Sequence, residues 1–125
     1  MTNNEVKGIM DAYAALRQKS QDLRIPVKAA WVRRKNLKKL AEAYATYREA
    51  FTELQQRYSD KEHSIETVDG NRQVKAKYMP EYQSELFELL AQDSGVTIEK
   101  ITLEDLGECN LSDEEMDTLA FMIDD

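Results

Sequence analysis

Residues 37–58, LKKLAEAYATYREAFTELQQRY, set Leu37, Leu40, Tyr44, Tyr47, Phe51, Leu54 and Tyr58 in unbroken 3,4 alternation over three heptads. Apolar residues at that spacing fall on one side of a helix. No Gly or Pro interrupts Val27 to Ser59, so the pattern predicts a single helix there, about 50 Å long at the usual rise per residue. Tyrosine fills Tyr44, Tyr47 and Tyr58 of this seam. Such a seam suits a wet edge, because each ring buries area while its hydroxyl needs a polar partner.

Upstream, Val6, Ile9, Tyr13, Leu16 and Leu23 repeat the pattern, broken only by Ser20, and Thr2 and Glu5 have capping-box spacing. A first helix is expected from about Asn4 to Leu23. Ile25-Pro26 ends it, since the residue before proline is pushed out of the helical region and proline is tolerated in the first turn of the next helix. So short a connection favours antiparallel neighbours, a helical hairpin over residues 4–59. The second helix outruns the first by about 13 residues. Phe51, Leu54 and Tyr58 therefore need a cover, either the C-terminal segment or a second chain.

Downstream the period changes. Ser64–Val68 and Asn71–Lys75 flank Asp69-Gly70, the signature of a two-residue β-hairpin turn, whose residues must tolerate positive φ. Pro80 opens a third helix, with Tyr82, Leu86, Leu89 and Leu90 apolar at helical spacing and Gly95 as its stop. Val96, Ile98, Ile101 and Leu103 predict a short extended or irregular segment. Ser112 and Glu115 form a second capping box, and Asp113 and Glu114 lie where the helix dipole favours acids. Met116, Leu119, Ala120 and Ile123 are the expected inner face of this last helix, with Phe121 and Met122 off the stripe. The expected fold is mainly α and a single domain over 1–125. It comprises an antiparallel two-helix coiled-coil hairpin (4–59), a small β-hairpin (60–79) and an acidic helical part (80–125), whose two C-terminal helices pack on the overhang.

Of 125 residues, 42% are hydrophobic and 33% charged, with 4 Gly and 2 Pro, which is a globular rather than a low-complexity composition. No apolar run approaches the roughly 20 residues of a bilayer crossing, and Met1–Ser20 lacks the apolar core of a signal peptide. No membrane association and a cytoplasmic location are expected. The single Cys109 cannot form an internal disulfide, and the single His63 removes most zinc sites and every triad that needs a second imidazole. His63 reads as an exposed junction residue. Gly8, Gly70, Gly95 and Gly107 are too scattered for a phosphate loop, and Asp69-Gly70-Asn71 departs from the calcium-loop pattern. No catalytic residue, metal ligand set or cofactor is expected, and the chain reads as a non-enzyme.

Charge carries the functional signal. Residues 1–80 hold 16 Lys+Arg against 10 Asp+Glu, whereas residues 81–125 hold one Lys against 14 Asp+Glu. Arg24–Lys39 contains seven basic residues and no acid. Glu99, Glu104, Asp105, Glu108, Asp113, Glu114 and Asp117 are therefore candidates for a surface that imitates nucleic-acid phosphates and binds a basic, nucleic-acid-handling enzyme. The alternative is that these acids fold back on Arg24–Lys39 or face water. Trp31, Arg33, Arg34, Lys35 and Lys38 are candidates for direct phosphate contact, against which the net charge of −7 argues. A third reading is an assembly protein that forms homo-oligomers through the uncovered Phe51, Leu54 and Tyr58.

The order of elements also resembles a family of short bacteriophage and prophage proteins of uncharacterised activity. The likeness is carried by Arg33, Arg34, Leu37 and Leu40, by Tyr58-Ser59-Asp60-Lys61 and Asp69-Gly70-Asn71, and by Tyr82, Glu85-Leu86, Leu89-Leu90 and Leu111-Ser112 with Glu115. It implies a viral or prophage accessory protein in a bacterial cytoplasm and no site residue; taken with the acidic segment, the expected function is a phage protein that binds and inhibits a host nucleic-acid-handling defence enzyme.

Overall fold

The computed structural model describes residues 1–19, 24–107 and 110–124. Helix α1 spans Asn3–Lys19 and α2 spans Val27–Arg57, and the two pack together as the expected hairpin. Residues 20–23, the expected end of the first helix, lie outside the described residues. The first capping box forms, with the Thr2 amide donating to Glu5 Oε1 and the Glu5 amide to Thr2 Oγ1, each at 3.2 Å. Pro26 sits at the N-cap of α2 with φ −56° and ψ 153°.

Helix α2 buries two stripes. Along the heptad seam Leu40, Tyr47, Leu54 and Tyr58 are buried, and Leu37, Tyr44 and Phe51 are half-buried. The rings of Tyr44, Tyr47 and Phe51 stack in succession, with centroids 6.1 and 6.0 Å apart. Nearer the N-terminus Ala29, Val32 and Asn36 are buried as well, so the helix carries a second contact face that the heptads do not announce.

Strands β1 (Ser64–Glu66) and β2 (Arg72–Val74) pair antiparallel, Ile65 opposite Gln73. The turn is not the expected two-residue one. The Thr67 amide donates to the Asn71 carbonyl and the Gly70 amide to the Thr67 carbonyl, so Val68, Asp69 and Gly70 make a three-residue loop. Only Gly70 has positive φ, at 85°. Asp69 escapes the left-handed conformation because Gly70 alone supplies the bulge that returns the chain to its register.

Helix α3 (Met79–Ala91) covers the overhang of α2, with the Tyr82 ring edge-on to Tyr58 at 5.3 Å and Glu85 Oε1 3.4 Å from Arg57 Nη1. It stops at Ala91, short of Gly95, because a distant residue takes its last carbonyls. Asn3 Nδ2 donates to the Leu89 carbonyl and the Asn3 amide to the Gln92 carbonyl, both at 2.9 Å. Gly95, with φ 78°, belongs to the next turn, where its amide donates to Asp93 Oδ1.

From there the chain runs back along α2 toward its N-terminus. Lys39 Nζ donates to the Thr97 carbonyl, Asn36 holds Glu99, and Lys28 meets Asp105. Strand β3 (Ile101–Thr102) leads into the one-turn helix α4 (Leu103–Leu106). Helix α5 (Asp113–Leu119) and a 3-10 turn (Ala120–Met122) follow, and β4 (Ile123–Asp124) returns parallel to β3. Ile101, Leu106, Leu119 and Met122 close over Ala29 and Val32 as one core cluster. This corrects one expectation: α3 alone packs on the overhang, while the last helix packs at the opposite end of α2 and against α1. A second correction concerns its inner face. Met122 is fully buried and Ala120 exposed, because the tighter 3-10 turn rotates the residues after Leu119 away from the α-helical stripe.

Both short helices carry reciprocal capping boxes, Thr102 with Asp105 and Ser112 with Glu115. Removing either hydroxyl, by Thr102→Ala or Ser112→Ala, is expected to cost about 1 kcal/mol. Leu119→Ala, which opens a cavity in the core cluster, is expected to cost about 2–5 kcal/mol. Denaturant unfolding of the three variants checks this order, and a Leu119→Ala cost no larger than that of the cap variants would contradict the packing described.

Candidate partner-binding surfaces

The seven acidic candidates separate by what the fold does with each. Glu99 Oε2 lies 2.7 Å from Lys35 Nζ, and Asp105 Oδ1 lies 3.0 Å from Lys28 Nζ while its other oxygen accepts the Thr102 amide. These two carboxylates serve the molecule itself, the fold-back alternative weighed above. The Lys35 ammonium holds the Glu99 carboxyl below its usual range, and the Thr102 amide and then Lys28 do the same for Asp105. Glu104, Asp113, Glu114 and Asp117 are exposed, and Glu108 lies outside the described residues. Glu115, next to them, is occupied by its cap. The expected acidic face is thus smaller than the charge count suggests, and it centres on α5.

The basic candidates divide in the same way. Arg33 is half-buried, its Nε buried without a partner among the described residues, and Lys35 is the partner of Glu99. Arg34 and Lys38 face solvent beside Trp31, which is 59% exposed and has the Lys35 ammonium 5.7 Å from its ring centre. Val27, one turn before Trp31, is 87% exposed. The face of α2 that carries Val27, Trp31, Arg34 and Lys38 is exposed among the described residues.

His63 corrects another expectation. It is half-buried, its ring centre 4.5 Å from that of Tyr78 and 5.5 Å from that of Tyr58. Asp60 Oδ1 lies 2.7 Å from His63 Nδ1 and accepts the His63 amide at 2.9 Å, which holds the Asp60 carboxyl below its usual range. Burial and the nearby Glu85 and Glu81 carboxylates push the Tyr58 phenol up to about 12, so it stays protonated. The Ser64 hydroxyl of this turn is already engaged. Ser64 Oγ donates to the Asp60 carbonyl and accepts from Arg72 Nε, both at 2.7 Å. The pairing therefore reads as a staple between the end of α2 and β1 rather than as a base with a nucleophile. Asp60, Glu62 and His63 place three metal-capable atoms within 4.8 Å of one another, with Asp60 and Glu62 exposed.

Two hollows open among the described residues. One, of about 670 Å³, lies between Thr46 and Tyr47 of α2 and the Gln92–Thr97 turn. The other, of about 730 Å³, lies between Gly8 and Ile9 of α1 and the Val96–Ile98 segment. Asn36, absent from the sequence-based candidates, is the residue that decides where the acidic segment sits. Its signal was a polar residue between apolar Val32 and Leu40 at helical spacing. No helix among the described residues is long and apolar enough to cross a membrane. Comparison with protein-family models, curated proteins and solved structures finds no match.

Because the Glu99 and Asp105 carboxyls are depressed in the fold, their ion pairs stabilise it above the unfolded values of 4.5 and 3.8, and this contribution is lost as pH falls through the lower folded values. A Lys28→Met, Lys35→Met variant is expected to melt below the wild type at neutral pH, with the gap closing below about pH 4. Thermal unfolding from neutral pH to pH 3 follows it, and a gap independent of pH would contradict the pairing.

Proposed function

We propose that this chain is a non-catalytic phage accessory protein that binds a basic partner in the bacterial cytoplasm, a nucleic-acid-handling host enzyme, through the outward carboxylates of its C-terminal part. The observation that carries this reading is the one-sided charge left after internal pairing. Among the described exposed residues from 100 to 124, Glu104, Asp113, Asp117 and Asp124 stand against Lys100. Helix α5 presents the exposed Asp113 and Asp117 one turn apart on a framework fixed by its cap and by Leu119. Such a surface raises the encounter rate with a basic groove and competes there with phosphates.

The test is complex formation with a basic host nuclease, comparing wild type with the Glu104→Lys, Asp113→Lys, Asp117→Lys triple variant. The wild-type affinity is expected to fall about tenfold or more as salt rises from about 50 to about 300 mM, and the variant is expected to bind at least tenfold more weakly at low salt. Affinity indifferent to both salt and charge reversal would refute the reading.

A further inference from the structure

Helix α2 turns Val27, Trp31, Arg34, Lys38, Ala41 and Ala45 to solvent along one line, at successive spacings of three and four residues. Outer helix faces are ordinarily polar. This one begins with two large apolar side chains, continues with two cations that make no ion pair among the described residues, and then narrows to alanines. An apolar anchor flanked by unpaired positive charge fits an anionic surface with room for an indole ring.

The same molecule carries such a surface, and it has already shown which chemistry this helix accepts. Lys28 and Lys35, on the flank of the stripe, hold Asp105 and Glu99 of their own chain. The carboxylates of Glu104, Asp113 and Asp117 remain outward on that same C-terminal unit. We propose that the outer stripe of α2 docks the acidic α4–α5 unit of a second copy of this chain, reciprocally, about a two-fold axis. In a two-fold pair each copy supplies one stripe and one acidic unit, so each contact occurs twice and the buried area doubles. The negative net charge of each copy opposes long-range approach but is screened within about 10 Å at ordinary ionic strength.

Nucleic acid fits the stripe less well. Arg34 and Lys38 offer few phosphate contacts, and affinity for phosphate backbones grows with the number of cations engaged. The proposal stands independently of the basic partner, although engagement of Asp113 and Asp117 in the pair would make the two complexes mutually exclusive.

The experiment is sedimentation of the full chain over about 1–200 μM, a range that brackets ordinary weak dimers, at about 0.1 M salt, where the net charge is screened, together with emission from Trp31, the only tryptophan. Association with concentration, a blue shift of Trp31 emission along the same curve, and weakening by salt are expected. Arg34→Glu, Lys38→Glu and Asp113→Lys, Asp117→Lys double variants should each associate about tenfold more weakly or not at all. Mixed one to one, they should associate again, because each acidic stripe then meets a basic unit and each acidic unit a basic stripe. All four substituted residues are exposed, and circular dichroism confirms that each variant is folded. A monomer throughout the range, a dimer unaffected by either variant, or variants that stay apart when mixed would each overturn the proposal. So would a wild-type monomer whose Trp31 emission shifts on adding a dT20 oligonucleotide, which would assign the stripe to single-stranded nucleic acid.

Discussion

The side-chain amide of Asn36 stands in for a strand. Its Nδ2 donates to the Glu99 carbonyl at 2.8 Å, and its Oδ1 accepts the Glu99 amide at 2.9 Å, which is the pair of bonds a neighbouring β-residue would make. Asn36 has no exposed surface, and a buried amide left unpaired is costly, so Glu99 is the residue that must lie there. The hydrophobic contact at this end of α2 rests on Ala29 and Val32, which are small and would tolerate several registers of a chain laid across them. The amide removes that freedom. With Glu99 fixed, Thr97 falls beside Lys39 and Asp105 beside Lys28, and Ile101 enters the core.

The charge asymmetry of the chain follows from this arrangement. A basic helix and an acidic segment far apart in sequence are brought side by side, and part of each neutralises the other. What remains is sorted by geometry. Lys28, Lys35 and Lys39 of α2 are engaged by the returning segment, whereas Arg34 and Lys38 point outward with Trp31. Glu99, just before β3, and Asp105 of the α4 cap are used locally, whereas Asp113 and Asp117 of α5 face water. Function is proposed on these residual faces and not on His63 with Asp60, which hold the end of α2 to β1.

Legibility in the sequence tracked the range of the interactions. The heptads of α2, the Pro26 break, the Thr2 and Ser112 capping boxes and the start of α3 at Pro80 are set by residues within one or two turns, and each appears as read. The end of α3 was misplaced because Asn3 closes it from 86 positions away. The final helix was assigned to the wrong end of α2 because nothing local says that Asn36 selects Glu99. The hairpin turn was read from Asp69-Gly70 alone, while its geometry depends on Thr67 and Asn71 as well. Of the candidate surface residues, identity and charge were legible, but pairing was not: Glu99, Asp105 and Lys35 lost their freedom to contacts that span more than sixty positions.

If Asn36 sets the position of everything after residue 97, its removal should loosen that part first. Amide hydrogen exchange in wild type and Asn36→Ala is the direct measurement. Faster exchange is expected at Ile101, Leu106, Leu119 and Ile123, with the amides of Leu40, Tyr47 and Leu54 on the distal part of α2 close to their wild-type protection. Unchanged protection in the C-terminal unit, or an equal loss throughout the molecule, would contradict the account.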